Sequence, residues 1–166
     1  MLNVLCVNWG LKFKPVYTQN LYNMVQRHLT VPHKFICFTD HTKIHKMVKG
    51  DIEFRSMPHH NYQGWWNKLT LLSPEAKLEG DNLYFDLDLV IYDKLPDLIR
   101  KDFTLLDDTW WRERAHTPLN SSIVSWTGDV SYIWDKFKKD DSFYVDTYLS
   151  LIHISEPPRH RSLADA

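Results

Sequence analysis

The chain carries no excess of one charge: 20 Lys and Arg stand against 21 Asp and Glu, a formal net charge of −1, and no basic block interrupts the sequence. A nucleic-acid partner recruits a basic surface, so none is expected. No apolar run approaches the roughly 20 residues that cross a bilayer as a helix. Met1-Leu2-Asn3 leads straight into a strand-like run without the basic flank and apolar core of a signal segment, which predicts a soluble, cytoplasmic protein with no transmembrane segment. Cysteine is scarce. Cys6 and Cys37 each sit in an apolar run with no CxxC spacing, which predicts buried core thiols rather than a disulfide or metal ligands. Internal repeats and low-complexity linkers are missing too, and 166 residues with 43% hydrophobic content suit one domain around one core.

What the sequence does have is a series of apolar runs at strand and helix periods. Leu2 to Val7 is nearly continuous and reads as a strand covered on both faces, stopping at Asn8-Trp9-Gly10. From Val16 to Leu29, Leu21, Met24, Val25, His28 and Leu29 recur at helical spacing, and Pro32 helps to end the segment. Lys34 to Phe38 is a second strand, closing on Thr39-Asp40. Strand, helix and strand on short connections predict a parallel crossover unit with a ligand crevice beyond the carboxyl ends of its strands. Asn8, Trp9, Thr39 and Asp40 fall at that edge, where they can read a base or ribose or serve as ordinary turn residues. Ile52 to Met57 alternates weakly and predicts a third strand.

The organising stretch is Leu83 to Ile91, in which Asp86 and Asp88 stand two residues apart in an apolar run. Strand alternation would point both carboxylates to one face and Leu87 and Leu89 to the other. Burying two unpaired carboxylates costs several kcal/mol or more, so a water-facing strand end or a cation must relieve them. A hard divalent ion held by oxygen ligands does so and can carry a polyphosphate with it. The plain alternative is an edge strand with a solvated acidic face.

Before it, Trp65, Leu69 and Leu72 in Gly64 to Leu72 recur at i, i+4 and i+7, which predicts a core-facing helical stripe with Lys68 on its flank. Lys68 is then delivered near the acidic pair, to neutralise a carboxylate or an anionic substrate, or simply to be solvated. His41 and His45 stand four apart without a third ligand and read as a solvated loop. The adjacent His59 and His60 are expected at the surface. Phe103 to Leu106 predicts a short strand ending in Asp107-Asp108, and Trp110-Trp111-Arg112-Glu113-Arg114 an aromatic and basic loop suited to a sugar ring or to covering a core. Asn120-Ser121-Ser122 opens a further apolar strand, and Val130, Ile133, Trp134 and Phe137 predict a helix after Gly128-Asp129.

In order and spacing these features resemble the nucleotide-sugar glycosyltransferases of the GT-A fold, especially the glycogenin-like and bacterial galactosyltransferase-like branch. The residues that carry the resemblance are the opening strand Asn3-Val4-Leu5-Cys6-Val7, Trp66-Asn67-Lys68-Leu69, Tyr84-Phe85-Asp86-Leu87-Asp88 and Asn120-Ser121-Ser122. Lys68 and Asp86 are 18 residues apart (86 − 68), and Asp88 and Asn120 are 32 apart (120 − 88). The resemblance implies an α/β, Rossmann-like mixed sheet, mostly parallel and flanked by helices, over residues 1–148. It further implies transfer of a sugar from a nucleoside-diphosphate sugar, a UDP-sugar being favoured, to an acceptor that no motif names. Asp86 and Asp88 would hold Mn²⁺ or Mg²⁺ against the diphosphate, and Lys68 would neighbour donor sugar or phosphate. Asn120 and Ser121 would line the sugar pocket. Asn8 and Asp40 would approach the base.

The sequence departs from that family late in the chain. Where the family has Gly-Asp-Gln and then a histidine that completes the metal site, this chain reads Tyr144-Val145-Asp146-Thr147. Residues 149–166, beginning Leu149-Ser150-Leu151-Ile152-His153, resemble translated adapter sequence and are set apart from the native domain, so His153 is not taken as the missing ligand. Two rival functions stay open: a nucleotide-sugar-binding fragment without turnover, and a haloacid-dehalogenase-type phosphatase with Asp86 as nucleophile. Against the phosphatase, the short interval from Asp88 to Leu106 leaves no room for the strand-helix units such a sheet requires.

Overall fold

The computed structural model describes residues 1–95, 97–107 and 119–147. Asp108, the Trp110 to Arg114 loop and the tail from residue 149 lie outside the described residues. Six strands form one mixed sheet: β1 (Leu2–Asn8), β2 (His33–Thr39), β3 (Ile52–Ser56), β4 (Asp81–Phe85), β5 (Thr104–Asp107) and β6 (Leu119–Thr127). Their spatial order is β3-β2-β1-β4-β6-β5. The pairs β1/β2, β1/β4 and β2/β3 are parallel, and β6 runs antiparallel to both β4 and β5. This is the α/β, mostly parallel, helix-flanked architecture that the sequence predicts.

The strand order has one reversal that matters. From β1 the chain winds outward through helix α1 (Pro15–His28) to β2 and then β3, and it returns on the other side of β1 as β4. Neighbouring strands whose connections leave in opposite directions open a crevice at their carboxyl ends, the usual ligand position in such sheets. The ends in question carry Asn8-Trp9 on β1 and Asp86 after β4.

Alternation along the strands divides the core into two layers. Val4, Cys6, Phe35, Cys37, Leu83 and Phe85 pack on the face covered by Leu21 and Val25 of α1. Leu5, Ile36, Phe38 and Tyr84 pack on the opposite face, under residues 64–72 and under Ile133, Trp134 and Phe137 of helix α2 (Ser131–Lys138). Helix α3 (Asp141–Thr147) follows. Cys6 and Cys37 are directly paired in register, fully buried and free, as core thiols should be.

Two expectations are corrected here. Gly64–Leu72 is a 3-10 helix, not an α-helix. With three residues per turn, Trp66, Leu69 and Leu72 form the core stripe, while Trp65 turns outward and is 49% exposed. Side-chain bonds enforce that period: Thr70 Oγ1 donates to the Asn67 carbonyl at 2.7 Å, and Ser73 Oγ donates to the Thr70 carbonyl at 2.7 Å. The buried Asn67 amide donates to the Gly64 carbonyl at 3.1 Å, again three residues back. His59, expected free at the surface beside His60, stacks on Trp134 with ring centroids 4.5 Å apart. Its ring Nε2 also lies 3.3 Å from Glu75.

The stripe assignment is directly measurable. Trp66→Ala removes an indole that stacks on Phe137 at 5.7 Å and should cost about 3–5 kcal/mol in urea unfolding. Trp65→Ala should cost about 1 kcal/mol or less, because its side chain is half in water. Equal losses for both variants would restore the α-helical stripe.

Candidate functional site

The acidic pair stands where the strand has already stopped. β4 ends at Phe85, opposite Ile123 of β6, and the Asp86 N–H makes one more bond to the Ser122 carbonyl at 2.9 Å. The chain then turns, with the Leu89 N–H closing on the Asp86 carbonyl at 3.3 Å. Residues 86–89 are thus a four-residue turn that opens on Asp, a residue favoured at that position. The expectation that Asp86 and Asp88 sit within one continuous strand is corrected. Leu87 is buried in the α1-side core, Asp86 is half-buried and Asp88 is exposed. The residue that truly shares a strand face with Asp86 is Tyr84, two positions earlier.

That geometry fixes the Asp86 carboxylate from two directions. Tyr84 Oη donates to Asp86 Oδ1 at 2.7 Å. Lys68 Nζ lies 2.8 Å from Oδ2 and 2.7 Å from Oδ1. The ammonium also reaches the Ser121 carbonyl at 3.3 Å and its hydroxyl at 3.4 Å, which joins the 3-10 helix to β4 and β6. With side chains only 14% and 22% exposed, Lys68 and Asp86 form a partly desolvated, charge-assisted pair rather than a surface contact. Charge relief for Asp86 therefore comes from a lysine within the chain. Asp88, by contrast, makes no hydrogen bond or ion pair among the described residues.

A cavity of about 520 Å³ opens over this cluster, lined by Trp9, Phe13, Trp65, Lys68, Tyr84, Asp86 and Asp88 among others. A mostly apolar and aromatic lining with a few charged groups suits a small-molecule site at a sheet switch point. Trp65 and Lys68 both reach it because they stand three residues apart on one stripe of the 3-10 helix. Trp65, Lys12 and Phe13 are lining residues that the sequence reading passed over. For Trp65 the missed signal was the three-residue recurrence of Asn67, Thr70 and Ser73.

The other sequence-predicted residues divide clearly. Trp9 lines the cavity, and Ser121 touches Lys68. Asn120 turns back on its own strand, its Oδ1 accepting the Ser122 N–H at 2.7 Å and also the Ser122 hydroxyl. Asn8 is fully buried and donates to Thr18 Oγ1 of α1 at 2.9 Å. Asp40 receives the Gly10 N–H at 3.1 and 3.3 Å, bracing the loop after β1, where Gly10 adopts a φ of 68°. Neither Asn8 nor Asp40 lines the cavity. In this structure both side chains brace the chain around the end of β1.

A divalent ion would find hard oxygen donors at this mouth. Among the described residues no three His, Cys, Asp or Glu side chains gather into a ready-made metal cluster. Two carboxylates, one of them free and exposed, nevertheless fit an ion that takes its remaining ligands from phosphate and water, as Mg²⁺ commonly does. The cradle fits such an ion if Asp86 loosens its hold on Lys68.

No family model matches the chain, and no curated protein matches it. Among solved structures, the crystal structure of the glycosyltransferase GlyE in Streptococcus pneumoniae TIGR4 superposes on the chain with a TM-score of 0.64 at 11% sequence identity. The match covers 92% of this chain and 41% of GlyE, so the chain spans about two-fifths of that protein's length. The shared feature is the fold, a mixed α/β sheet of the GT-A, Rossmann-like type. No helix among the described residues is long and apolar enough to cross a membrane.

The Tyr84 hydroxyl gives this geometry a pH signature. Burial, then the neighbouring Asp86 charge, push its pKa well above the ordinary 10.0. Because the folded pKa exceeds the unfolded one, the phenol's contribution to stability is complete below about pH 10 and is lost as pH rises beyond it. Tyr84→Phe should cost about 1.5–3 kcal/mol at neutral pH, through the lost bond to a charged acceptor. It should also flatten the alkaline fall in stability above about pH 10. Chemical denaturation at pH 7 and at pH 10.5 would check both, and an unchanged alkaline slope would contradict the assignment.

Proposed function

We propose that this chain binds the diphosphate of a nucleoside-diphosphate sugar, a UDP-sugar by preference, and that it belongs to a glycosyltransferase moving that sugar to an acceptor. The observation that carries the reading is the meeting of Lys68, Asp86 and Asp88 under an aromatic rim at the switch point between β1 and β4. Fold likeness to a glycosyltransferase supports it.

Each residue then has a physical task. Asp86 and Asp88 would hold Mn²⁺ or Mg²⁺, which supplies charge compensation to a departing diphosphate when bound. Lys68 places a second positive charge beside the phosphates and keeps it there by its bonds to Ser121. Trp9 and Trp65 offer flat apolar faces to a base or sugar ring, while buried Leu87 keeps water from the floor of the site. Ser121, next to Lys68, faces the sugar, and Asn120 shapes that end of β6 through Ser122 rather than by direct contact.

The decisive substitution is Asp88→Asn. The exposed, unpartnered carboxylate contributes little to the fold, so the variant should unfold within about 0.5 kcal/mol of the native protein. Its calorimetric affinity for UDP in the presence of Mn²⁺ should nonetheless fall at least tenfold. An unchanged affinity would remove the metal from the proposal. Incubation with Mn²⁺ and a panel of UDP- and GDP-sugars then separates the readings. Sugar release by hydrolysis supports the transferase, metal-dependent binding without release supports a binding-only fragment, and phosphate release from a phosphomonoester supports a phosphatase.

A further inference from the structure

Both oxygens of Asp86 are already engaged. One oxygen takes the Tyr84 hydroxyl at 2.7 Å, and the Lys68 ammonium lies within 2.8 Å of both. A divalent ion bound to that carboxylate would stand beside a positive charge that is only 14% exposed and therefore poorly screened. Lys68 cannot simply swing into water, because the Ser121 carbonyl and hydroxyl hold it from the other side and the 3-10 helix beneath it is anchored by Trp66, Leu69 and Leu72. The conflict is relieved when an anion arrives to share the ammonium. A diphosphate does this while adding its own oxygens to the ion's coordination shell.

Resting on the donor-site reading above, we infer that Lys68 makes the metal site conditional on the diphosphate. Lys68 occupies Asp86 until a pyrophosphate group takes over the ammonium, so that metal and nucleotide enter as a coupled pair rather than one after the other. Because coupling between two ligands is reciprocal, nucleotide affinity must rise with Mn²⁺ by the same factor by which Mn²⁺ affinity rises with nucleotide. A pre-built cluster of carboxylates would bind the ion more tightly on its own, and nucleotide would then add a smaller factor.

Free Mn²⁺ counted by electron paramagnetic resonance tests this without any turnover. The native protein should bind Mn²⁺ weakly alone and at least tenfold more tightly when saturated with UDP. Lys68→Met, which keeps the stem and removes the charge, should bind Mn²⁺ alone at least fivefold more tightly than native, with UDP tightening Mn²⁺ by a correspondingly smaller factor than in the native protein. Lys68→Arg keeps a cation and should behave as native. If Lys68→Met fails to fold by near-ultraviolet circular dichroism, Lys68→Gln, which retains a donor towards Ser121, carries the same expectation. Mn²⁺ binding that depends on Asp86 and Asp88 but is not tightened by removing the Lys68 charge overturns the coupling and leaves the donor site standing. No Mn²⁺ binding in any arm, with UDP present, overturns both.

Discussion

The contact on which the site depends is the one between Lys68 and Asp86. A partly buried carboxylate at the end of a central strand, with a buried Tyr on one side and a buried Leu after it, is stabilised by a nearby cation. The chain supplies that partner from a segment 18 residues earlier, and the ammonium binds at 2.7 to 2.8 Å. This single pair ties three parts of the fold to one point: the 3-10 helix that carries Lys68, β4 that carries Asp86, and β6 that contributes Ser121.

The sheet order then decides what that point can face. β4 returns to the centre of the sheet beside β1, so the carboxyl ends of β1 and β4 lie together while their connections diverge. Trp9 is brought over the acid from one strand, and Trp65 from the 3-10 helix. Had β4 joined the far edge beyond β3, the same Asp-x-Asp stretch would have lain on a solvated margin, as its plain alternative reading supposed. Burial of Asn82, Leu83, Tyr84 and Phe85 on both faces of β4 shows why it takes the centre.

Much of this was legible in the sequence where one period dominated. The first helix, the strands β1 to β3, the place of the last strand and the proximity of Lys68 to Asp86 all followed from apolar spacing and short connections. The failures came where two periods competed. Trp65, Leu69 and Leu72 match an α-helical stripe, but Asn67, Thr70 and Ser73 bond to carbonyls three residues back and wind the segment more tightly, which sends Trp65 outward. The partners of Asn8 and Asp40 lie beyond local spacing. The position of both residues at the strand ends was readable, yet whether a polar side chain faces a ligand or braces a turn depends on Thr18 and Gly10, partners 10 and 30 residues away in sequence.

The Asp-x-Asp spacing itself deserves a different physical reading from the one that alternation suggests. Two residues apart on a strand means one face, and on that rule Asp86 belongs with Tyr84, not with Asp88. The turn breaks the alternation immediately after Asp86, which lets one carboxylate stay clamped and half-buried while the other stands free in water. A pair so divided has unequal roles. The clamped acid fixes position at the cost of being already neutralised, and the free acid brings undivided charge without a fixed direction. An ion that needed both from the protein alone would find one carboxylate already paired with an ammonium and the other unheld.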